Sequence, residues 1–261
     1  MLTALTSFSP EGYELYGKRF IESFHQFWPA DVQLICAWEG QPPQQDLCGF
    51  DLTASDPARA FLARHRTDPI VHGLLDIPPA RWGPKAKKEG YSWRHDAYKF
   101  SHKVFAICRT AQLLEHGKLF WLDADIVTHK PIGEAFLHGL LPDSASLCYL
   151  NRQPYFSSEL GFVGYNLERA EVEAFLMAYE YVYASDEFMQ LQFWDDCNVF
   201  DQLIRRLEPV IAPIPHRSRS QPFDFSPLAA CMTHLKGKRK NNHDYVKQAE
   251  RERKNGLRGH A

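Results

Sequence analysis

Two aspartates separated by one residue follow directly after an apolar run. The run Lys118–Leu122 predicts a buried strand, and Asp123 and Asp125 come next in the chain. Like charges this close repel each other unless a cation lies between them. A hard divalent cation, Mg²⁺ or Mn²⁺, relieves the repulsion and is commonly held by one or two carboxylates together with substrate phosphates. We therefore predict a metal site that a diphosphate completes; the alternative is a turn in which both aspartates cap backbone amides.

A second group of candidates lies near the C-terminal end of the sequence, where His234, Gly237 and Lys240 are spaced three residues apart. A neutral imidazole can join carboxylates on a Mn²⁺-like ion. A glycine lets the backbone approach a phosphate closely, and a lysine neutralises part of its charge. Taken alone, this basic run also fits a solvated surface.

The elements that must position these residues begin with a β-prone run, Leu2–Phe8. Ser9 and Pro10 then predict a helix start, followed by an apolar stripe of helical spacing that ends before Pro29 and by a buried strand at 32–37. This βαβ order is typical of an α/β fold with a mostly parallel, twisted sheet and flanking helices. Ligands of such sheets bind at the carboxyl ends of the strands, which is where Asp123 would lie.

Further along, a helix is predicted over 95–115, and Gly117 is predicted to close it in a left-handed conformation. Within residues 38–92, the stretches QPPQQ, DIPP and GPKAKKEG are predicted to form loops and short turns rather than a linker to a second domain. The remaining predictions are a strand at 160–166, helices at 168–183 and 195–207, and a strand at 210–214. We predict one domain over 1–235 and a basic extension over 236–261.

Composition narrows the class of protein. The chain has 261 residues, of which 44% are hydrophobic and 24% charged, as in globular proteins, so collagen-like, coiled-coil and wholly disordered chains are excluded. No apolar run approaches the roughly 20 residues of a membrane-spanning helix, and the start lacks the pattern of a signal peptide. Six dispersed cysteines without a CxxC pair argue against a zinc site or a disulfide framework. We expect a cytoplasmic protein without a membrane span.

The charge is unevenly distributed. The overall net charge is -2, but residues 236–261 hold nine Lys and Arg against three Asp and Glu, which leaves 21 basic and 29 acidic residues before them. An acidic body with a basic tail suggests that the tail meets an anionic partner. A solvated terminus is the simpler interpretation of the tail alone.

Together, FWLDADIV and the downstream HxxGxxK resemble the nucleotide-sugar-dependent glycosyltransferases of the GT-A fold, most of all glycosyltransferase family 8. The resemblance implies a GT-A-like domain and a metal-dependent, retaining hexosyltransferase that uses Mn²⁺ or Mg²⁺ and a UDP-sugar donor. It implies that Asp123 contacts the ribose and the metal, that Asp125 and His234 bind the metal, and that Gly237 and Lys240 hold the diphosphate.

Other site residues follow from the same resemblance. Thr6 and Phe8 would hold the nucleobase, although both also fit ordinary strand packing. Lys103 would pair with the diphosphate or with Asp123, and a solvated helix flank is its alternative. The family's Asn-x-Gly and Asp-Gln-Asp signatures have only loose counterparts here, SSELGFVGYN and WDDCNVFDQL. The carboxylates expected to face the sugar or to activate an acceptor hydroxyl are Glu159, Asp195 and Asp196, and a helix N-terminus explains the last two as well.

The acceptor remains open. The basic tail makes a polyanionic acceptor credible, including DNA with hydroxymethylated pyrimidines as in phage-type DNA glycosyltransferases; a bacterial surface glycan is the alternative. Two other classes of protein fit parts of the sequence. One is a Mg²⁺-dependent sugar nucleotidyltransferase, which shares a pair of aspartates at a strand end. The other is a noncatalytic nucleic-acid-binding module, which the acidic body disfavours.

Overall fold

The computed structural model describes residues 1–75 and 90–236. Its strands, in chain order, are β1 (Leu2–Phe8), β2 (Gln33–Trp38), β3 (Gly49–Asp51), β4 (His72–Leu74), β5 (Tyr91–Asp96), β6 (Lys118–Leu122), β7 (Ile126–Thr128), β8 (Leu147–Leu150), β9 (Glu159–Asn166), β10 (Ile211–Pro213) and β11 (Met232–His234). Its α-helices are α1 (Pro10–Gly12), α2 (Lys18–Phe27), α3 (Asp56–His65), α4 (Ala97–Leu114), α5 (Glu134–Leu140), α6 (Ala170–Ala184) and α7 (Asp196–Leu207).

A seven-stranded sheet with the order β10-β8-β9-β6-β1-β2-β3 forms the centre of the protein. All neighbouring strands in it are parallel except at β9, which runs antiparallel to both β8 and β6. Two short antiparallel pairs, β4 with β5 and β7 with β11, stand apart from the sheet. The predicted α/β fold with a mostly parallel sheet and flanking helices is confirmed.

Strand β6 shows how the two faces of the sheet are covered. All five of its residues are buried, as expected of a strand with helices on both sides. Leu119 and Trp121 pack into the core that α3, α4, α6 and α7 share, whereas Phe120 and Leu122 pack into the opposite core with α2 and α5. The alternation of side chains along the strand thus joins the two cores through one element.

The first helical region begins as the sequence predicts. Ser9 is the N-cap, its hydroxyl accepts a hydrogen bond from the Gly12 N–H at 3.1 Å, and Pro10 is the first helical residue. The region is less regular than the apolar stripe suggests, because a π-helical segment, Tyr13–Gly17, connects α1 to α2. The predicted strand that follows is β2.

The predicted loop at QPPQQ, residues 41–45, is confirmed, whereas DIPP and all but the last residue of GPKAKKEG lie outside the described residues. The described part of 38–92 also contains β3, β4, the start of β5 and the ten-residue helix α3, which the sequence analysis did not predict. The Ser55 hydroxyl caps α3, and the buried side chains Ala58, Phe61 and Leu62 hold it in the core. The loop-like composition before and after α3 concealed these few apolar contacts.

The end of α4 also differs. Glu115, at φ 60°, takes the left-handed conformation that follows the last helical residue. Gly117, two residues later and at φ 95°, does not end the helix but allows a close approach of two chain segments. A Cβ at this position would lie 2.7 Å from the carbonyl oxygen of Met1. That carbonyl accepts the Lys118 N–H at 3.0 Å, so the glycine lets β6 begin directly beside β1.

Within residues 1–75 and 90–236, no helix has the length and apolar character needed to cross a membrane. All six cysteines lie in these ranges and are free thiols.

Candidate functional site

The carboxyl edge of the sheet gathers residues from several distant parts of the chain. The parallel strands β1, β2 and β6 end there, at Phe8, Trp38 and Leu122. Because β9 runs in the opposite direction, its first residues, Glu159 to Gly161, lie at the same edge. Ligands of open α/β sheets bind in this position.

A tight turn after β6 holds the two aspartates. The Asp123 N–H donates to the carbonyl of Gly161 at 2.9 Å, and the Ile126 N–H donates to the carbonyl of Asp123 at 2.9 Å. The chain then continues into β7. Asp125 is buried, whereas a third of the Asp123 side chain is exposed, so the pair opens towards solvent on the Asp123 side.

His234 reaches this turn through strand pairing. It is the last residue of β11 and stands opposite Ile126 of β7, and the next N–H, that of Leu235, donates to the carbonyl of Asp125 at 2.9 Å. Its Nε2 lies 3.0 Å from Oδ1 of Asp125 and 3.5 Å from Oδ2 of Asp123. The structure therefore brings together all three side chains that the sequence analysis assigned to a metal.

These three groups fit a divalent cation. One ligand atom from each of Asp123, Asp125 and His234 lies within 4.8 Å of the other two. Two carboxylates with one imidazole suit a Mn²⁺-like ion. Burial would lower the pKa of His234, but the carboxylates of Asp125 and Glu159 raise it to about 9. In the absence of a metal the imidazolium thus supplies the positive charge beside the two aspartates, and a metal ion held at Nε2 would displace a proton.

Lys103 connects this cluster to helix α7. Its Nζ lies 2.8 Å from Oδ2 of Asp196, 3.4 Å from Oδ1 of Asp123 and 2.6 Å from the carbonyl of Leu160. The side chain is only 11% exposed. Burial alone would lower the pKa of Lys103, but the carboxylates of Asp123 and Asp196 raise it above its usual range. The predicted pairing with Asp123 is present, and the alternative of a solvated flank does not hold.

Glu159 is buried at the first position of β9. Its Oε1 lies 3.5 Å from Nδ1 of His234, and its Oε2 contacts the Nζ of Lys236. Burial would raise the pKa of Glu159, but His234 and Lys236 lower it well below its usual range. The carboxylate is therefore an anion that is shielded from solvent and already paired on both oxygens.

Asp195 and Asp196 begin α7, and both are buried. Asp195 is the N-cap and accepts the Asn198 N–H at 3.1 Å. Burial, together with the neighbouring carboxylate of Asp196, raises the pKa of Asp195 to about 7. Asp196 is the partner of Lys103. Asp195 thus caps the helix, as the alternative interpretation of the sequence proposed. Asp196 instead pairs with Lys103 at the sheet edge.

The residues predicted for the nucleobase and for the diphosphate have different outcomes. Thr6 is fully buried inside β1, and its Oγ1 has no hydrogen-bond partner. Phe8 lines a cleft of about 220 Å³, together with Pro10, Tyr13, Glu14, Trp38, Glu39, Gln41 and Pro43. Gly237 and Lys240 lie outside the described residues.

Three residues of the site were not assigned a role from the sequence. Trp121 donates its indole N–H to Oδ1 of Asp123 at 2.8 Å, and Lys236 contacts Glu159. The third is Gly161, where any side chain would collide with the ring of His234. The glycine inside a strand was a usable signal, because such a glycine often marks the close approach of another group. Nothing in the sequence distinguished Trp121 from an ordinary core residue.

Comparisons with solved structures find glycosyltransferases at low similarity. Mouse xyloside xylosyltransferase 1 in its apo form has a TM-score of 0.47 and 12% identity, covering 80% of this chain and 83% of that chain. A glycosyltransferase involved in the glycosylation of the major capsid of PBCV-1 has a TM-score of 0.47 and 10% identity, covering 95% and 98%. The bifunctional glycosyltransferase WbbM has a TM-score of 0.45 and 12% identity, covering 96% and 51%. No family model and no curated protein matches the sequence. Structural similarity of this size does not assign the chain to a family.

Proposed function

We propose that this protein is a metal-dependent glycosyltransferase that moves a hexose from a UDP-sugar to an acceptor hydroxyl. The observation that carries the proposal is the convergence of Asp123, Asp125 and His234 at the carboxyl edge of the sheet, with Lys103 on the other side of Asp123. The resemblance of the two sequence motifs to family 8 agrees with it. The retaining outcome and the choice of hexose rest on that resemblance alone.

The proposed chemistry follows from the leaving group. Breaking the bond between the sugar and a nucleoside diphosphate builds negative charge on the diphosphate. A Mn²⁺ or Mg²⁺ ion held by Asp123, Asp125 and His234 would supply a Lewis acid for that charge. The Lys103 ammonium, which is fixed by Asp196, places a second positive charge beside Asp123 before the reaction begins. Preorganised charges of this kind stabilise a transition state more than its ground state.

The donor is proposed to lie along the sheet edge from β6 to β1. The cleft at the ends of β1 and β2 is lined by Phe8, Tyr13 and Trp38, all three of which are largely buried. We propose that the nucleobase lies there, with Asp123 towards the ribose, and that Gly237 and Lys240 hold the diphosphate. Thr6 lies two residues before Phe8 in β1, and we propose that it contributes to the nucleobase site only by helping to shape this cleft.

For the acceptor side, the candidate carboxylates are Glu159, Asp195 and Asp196. Among them Asp195 has a pKa of about 7, which suits a group that exchanges a proton near neutral pH. Asp196 is paired with Lys103, and Glu159 is paired with Lys236 and faces His234. We therefore propose Asp195 as the first of the three to test for activation of the acceptor hydroxyl.

We propose a polyanionic acceptor because the residues from 236 onwards carry nine basic side chains directly after β11, the strand that ends with His234. DNA with hydroxymethylated pyrimidines is the acceptor to test first. Turnover on such DNA should fall steeply as salt is added, because phosphate contacts release counterions. Turnover on oligosaccharides alone, or a flat response to salt, would favour a surface-glycan transferase. The free cysteines agree with a reducing, cytoplasmic setting.

The test of the proposed function is a panel of nucleotide sugars with Mn²⁺, scored by thermal stabilisation and by release of nucleoside diphosphate. One donor should stabilise the protein and be hydrolysed slowly without an acceptor. Asp125→Asn should abolish the metal-dependent release, whereas Asp143→Asn, at an exposed carboxylate that pairs with Lys118, should retain it. Full activity of Asp125→Asn would reject the assignment. A product in which phosphate stays on the sugar would favour a nucleotidyltransferase instead.

A further inference from the structure

Each ring nitrogen of His234 faces at least one carboxylate. Nε2 faces Asp125 and Asp123, as described above, and Nδ1 faces Oε1 of Glu159 at 3.5 Å. Nδ1 is buried and makes no hydrogen bond of good geometry in the described part of the chain, so its contact with Oε1 is electrostatic, and Glu159 is itself only 6% exposed. The buried carboxylate therefore lies on the side of the ring away from the two aspartates.

We propose that Glu159 is a positioning residue that accepts the Nδ1–H of His234 and thereby directs Nε2 towards a cation held with Asp123 and Asp125. The inference rests on the metal site of the proposed function. It assigns Glu159 a task different from contact with the sugar or the acceptor.

The physical reason is the choice of tautomer. A neutral imidazole carries one N–H, and only the nitrogen without it can bind a metal ion. A carboxylate beside Nδ1 favours the tautomer that carries its proton there, fixes the plane of the ring and makes Nε2 more basic. Without an acceptor at Nδ1, the ring of His234 would be free to present the wrong nitrogen to the aspartates.

The identity of residue 161 supports this arrangement independently of charge. A Cβ at Gly161 would lie 2.5 Å from Cε1 and 2.7 Å from Nδ1 of His234, and 3.2 Å from Oε1 of Glu159. The ring of His234 and the carboxylate of Glu159 thus meet in a space that a side chain at position 161 would fill. The carbonyl of the same residue accepts a hydrogen bond from the Asp123 N–H. One position of β9 therefore contacts both the imidazole and the backbone of the first aspartate.

Lys236 completes the arrangement. Its ammonium contacts the other oxygen of Glu159, so the charge of the buried carboxylate is balanced from the solvent side while Oε1 remains directed at His234. Lys236 is half-exposed and contacts Oε2, whereas Oε1 faces Nδ1 of His234.

The experiment measures the affinity of the full chain for Mn²⁺ alone, by the electron paramagnetic resonance signal of the free ion. Glu159→Met removes the acceptor, Glu159→Gln keeps an amide oxygen at the same place, and Gly161→Ala displaces the ring without changing the charge. The controls are Glu173→Met, at an exposed carboxylate of α6, and Gly139→Ala, where a Cβ would meet nothing within 4 Å. Circular dichroism confirms that each variant is folded.

We expect Glu159→Met and Gly161→Ala to weaken Mn²⁺ binding by about 10- to 100-fold, the usual cost of losing such a partner, and Glu159→Gln to weaken it less. Both controls should bind as the wild type does. Wild-type affinity in Glu159→Met would overturn the inference, and if that variant had also lost turnover, Glu159 would act on the reactants instead. If Glu159→Met does not fold, Glu159→Leu takes its place, because Gly161→Ala displaces the His234 ring itself and reports only whether the position of the ring matters. A wild type that binds no Mn²⁺ would overturn the metal site itself.

Discussion

Nζ of Lys103 lies 2.8 Å from Oδ2 of Asp196, and both side chains are removed from solvent. The contact joins α4, which precedes the strand of the two aspartates, to the start of α7. It also places the ammonium between two carboxylates, because Asp123 lies on its other side at 3.4 Å. The positive charge beside the site is therefore fixed by the fold in advance of any ligand.

The first prediction concerns the stability of this pair. Lys103→Met should destabilise the protein by about 3 kcal/mol, because it leaves the carboxylate of Asp196 buried without a cation. Asp196→Asn leaves the ammonium with one fewer partner and should also be costly. In a double-mutant cycle followed by urea unfolding, the double variant should lose less than the sum of the single losses. Simple additivity would show that the two charges do not stabilise each other.

A second prediction is that Mn²⁺ stabilises the folded protein through His234. At an ion concentration about 100 times its dissociation constant, binding to the native state alone contributes about 2.7 kcal/mol. The midpoint of thermal unfolding should therefore rise with Mn²⁺ in the wild type and return to its starting value with a chelator. In His234→Gln the rise should be absent. His216→Gln is the matched control, since His216 hydrogen-bonds backbone carbonyls of Asn151 and Ser218.

The third prediction uses the pKa of Asp195. Its ordinary value of 3.8 is raised to about 7 by burial and by Asp196. A folded-state pKa above the unfolded one favours the protonated form in the native state. The resulting stability is complete below about pH 4 and is lost as the pH rises through 7. Asp195→Asn, which keeps a good N-cap, escapes this loss.

Urea unfolding at pH 5 and pH 8 tests this. The stability of Asp195→Asn relative to the wild type should increase by about 3 kcal/mol between the two pH values. Asp56→Asn, which removes an exposed carboxylate from the first turn of α3, reports the effect of losing a surface charge. An equal difference for Asp195→Asn at both pH values would contradict a buried carboxyl that is protonated at low pH.

The sequence predicted the parts of this site that local pattern controls. The apolar run before Asp123 required a buried strand, and the apolar stripe of α4 required a helix packed on that strand, which is where Lys103 lies. The close approach of His234 could be predicted only from the resemblance, because it depends on pairing between β7 and β11, which are far apart in the chain.

What the sequence could not predict depends on contacts between distant residues. Glu159 could be assigned to the site only from the resemblance, because it reaches the carboxyl edge through the antiparallel direction of β9, which no local pattern encodes. The helix α3 was missed because three buried apolar side chains give too little periodicity. In both cases the tertiary environment selects the structure.

The last prediction concerns the cleft at the ends of β1 and β2, where we place the nucleobase. Phe8 lines the cleft beside Tyr13, with their ring centroids 5.4 Å apart. Phe8→Leu keeps an apolar side chain but removes the aromatic face. Since stacking on an aromatic side chain is worth about 1 to 3 kcal/mol per base, UDP should bind about tenfold more weakly.

Isothermal titration calorimetry with UDP and Mn²⁺ provides the measurement. Phe24→Leu is the matched control, because it makes the same substitution in α2. Phe24 packs against Trp28 and is not among the residues that line the cleft. Binding of Mn²⁺ alone should be unchanged in both variants, since neither residue contacts the aspartates or His234. If the two variants weakened UDP binding equally, the loss would reflect general destabilisation of the β1–α2 region. An unchanged affinity in Phe8→Leu would place the base elsewhere on the sheet edge.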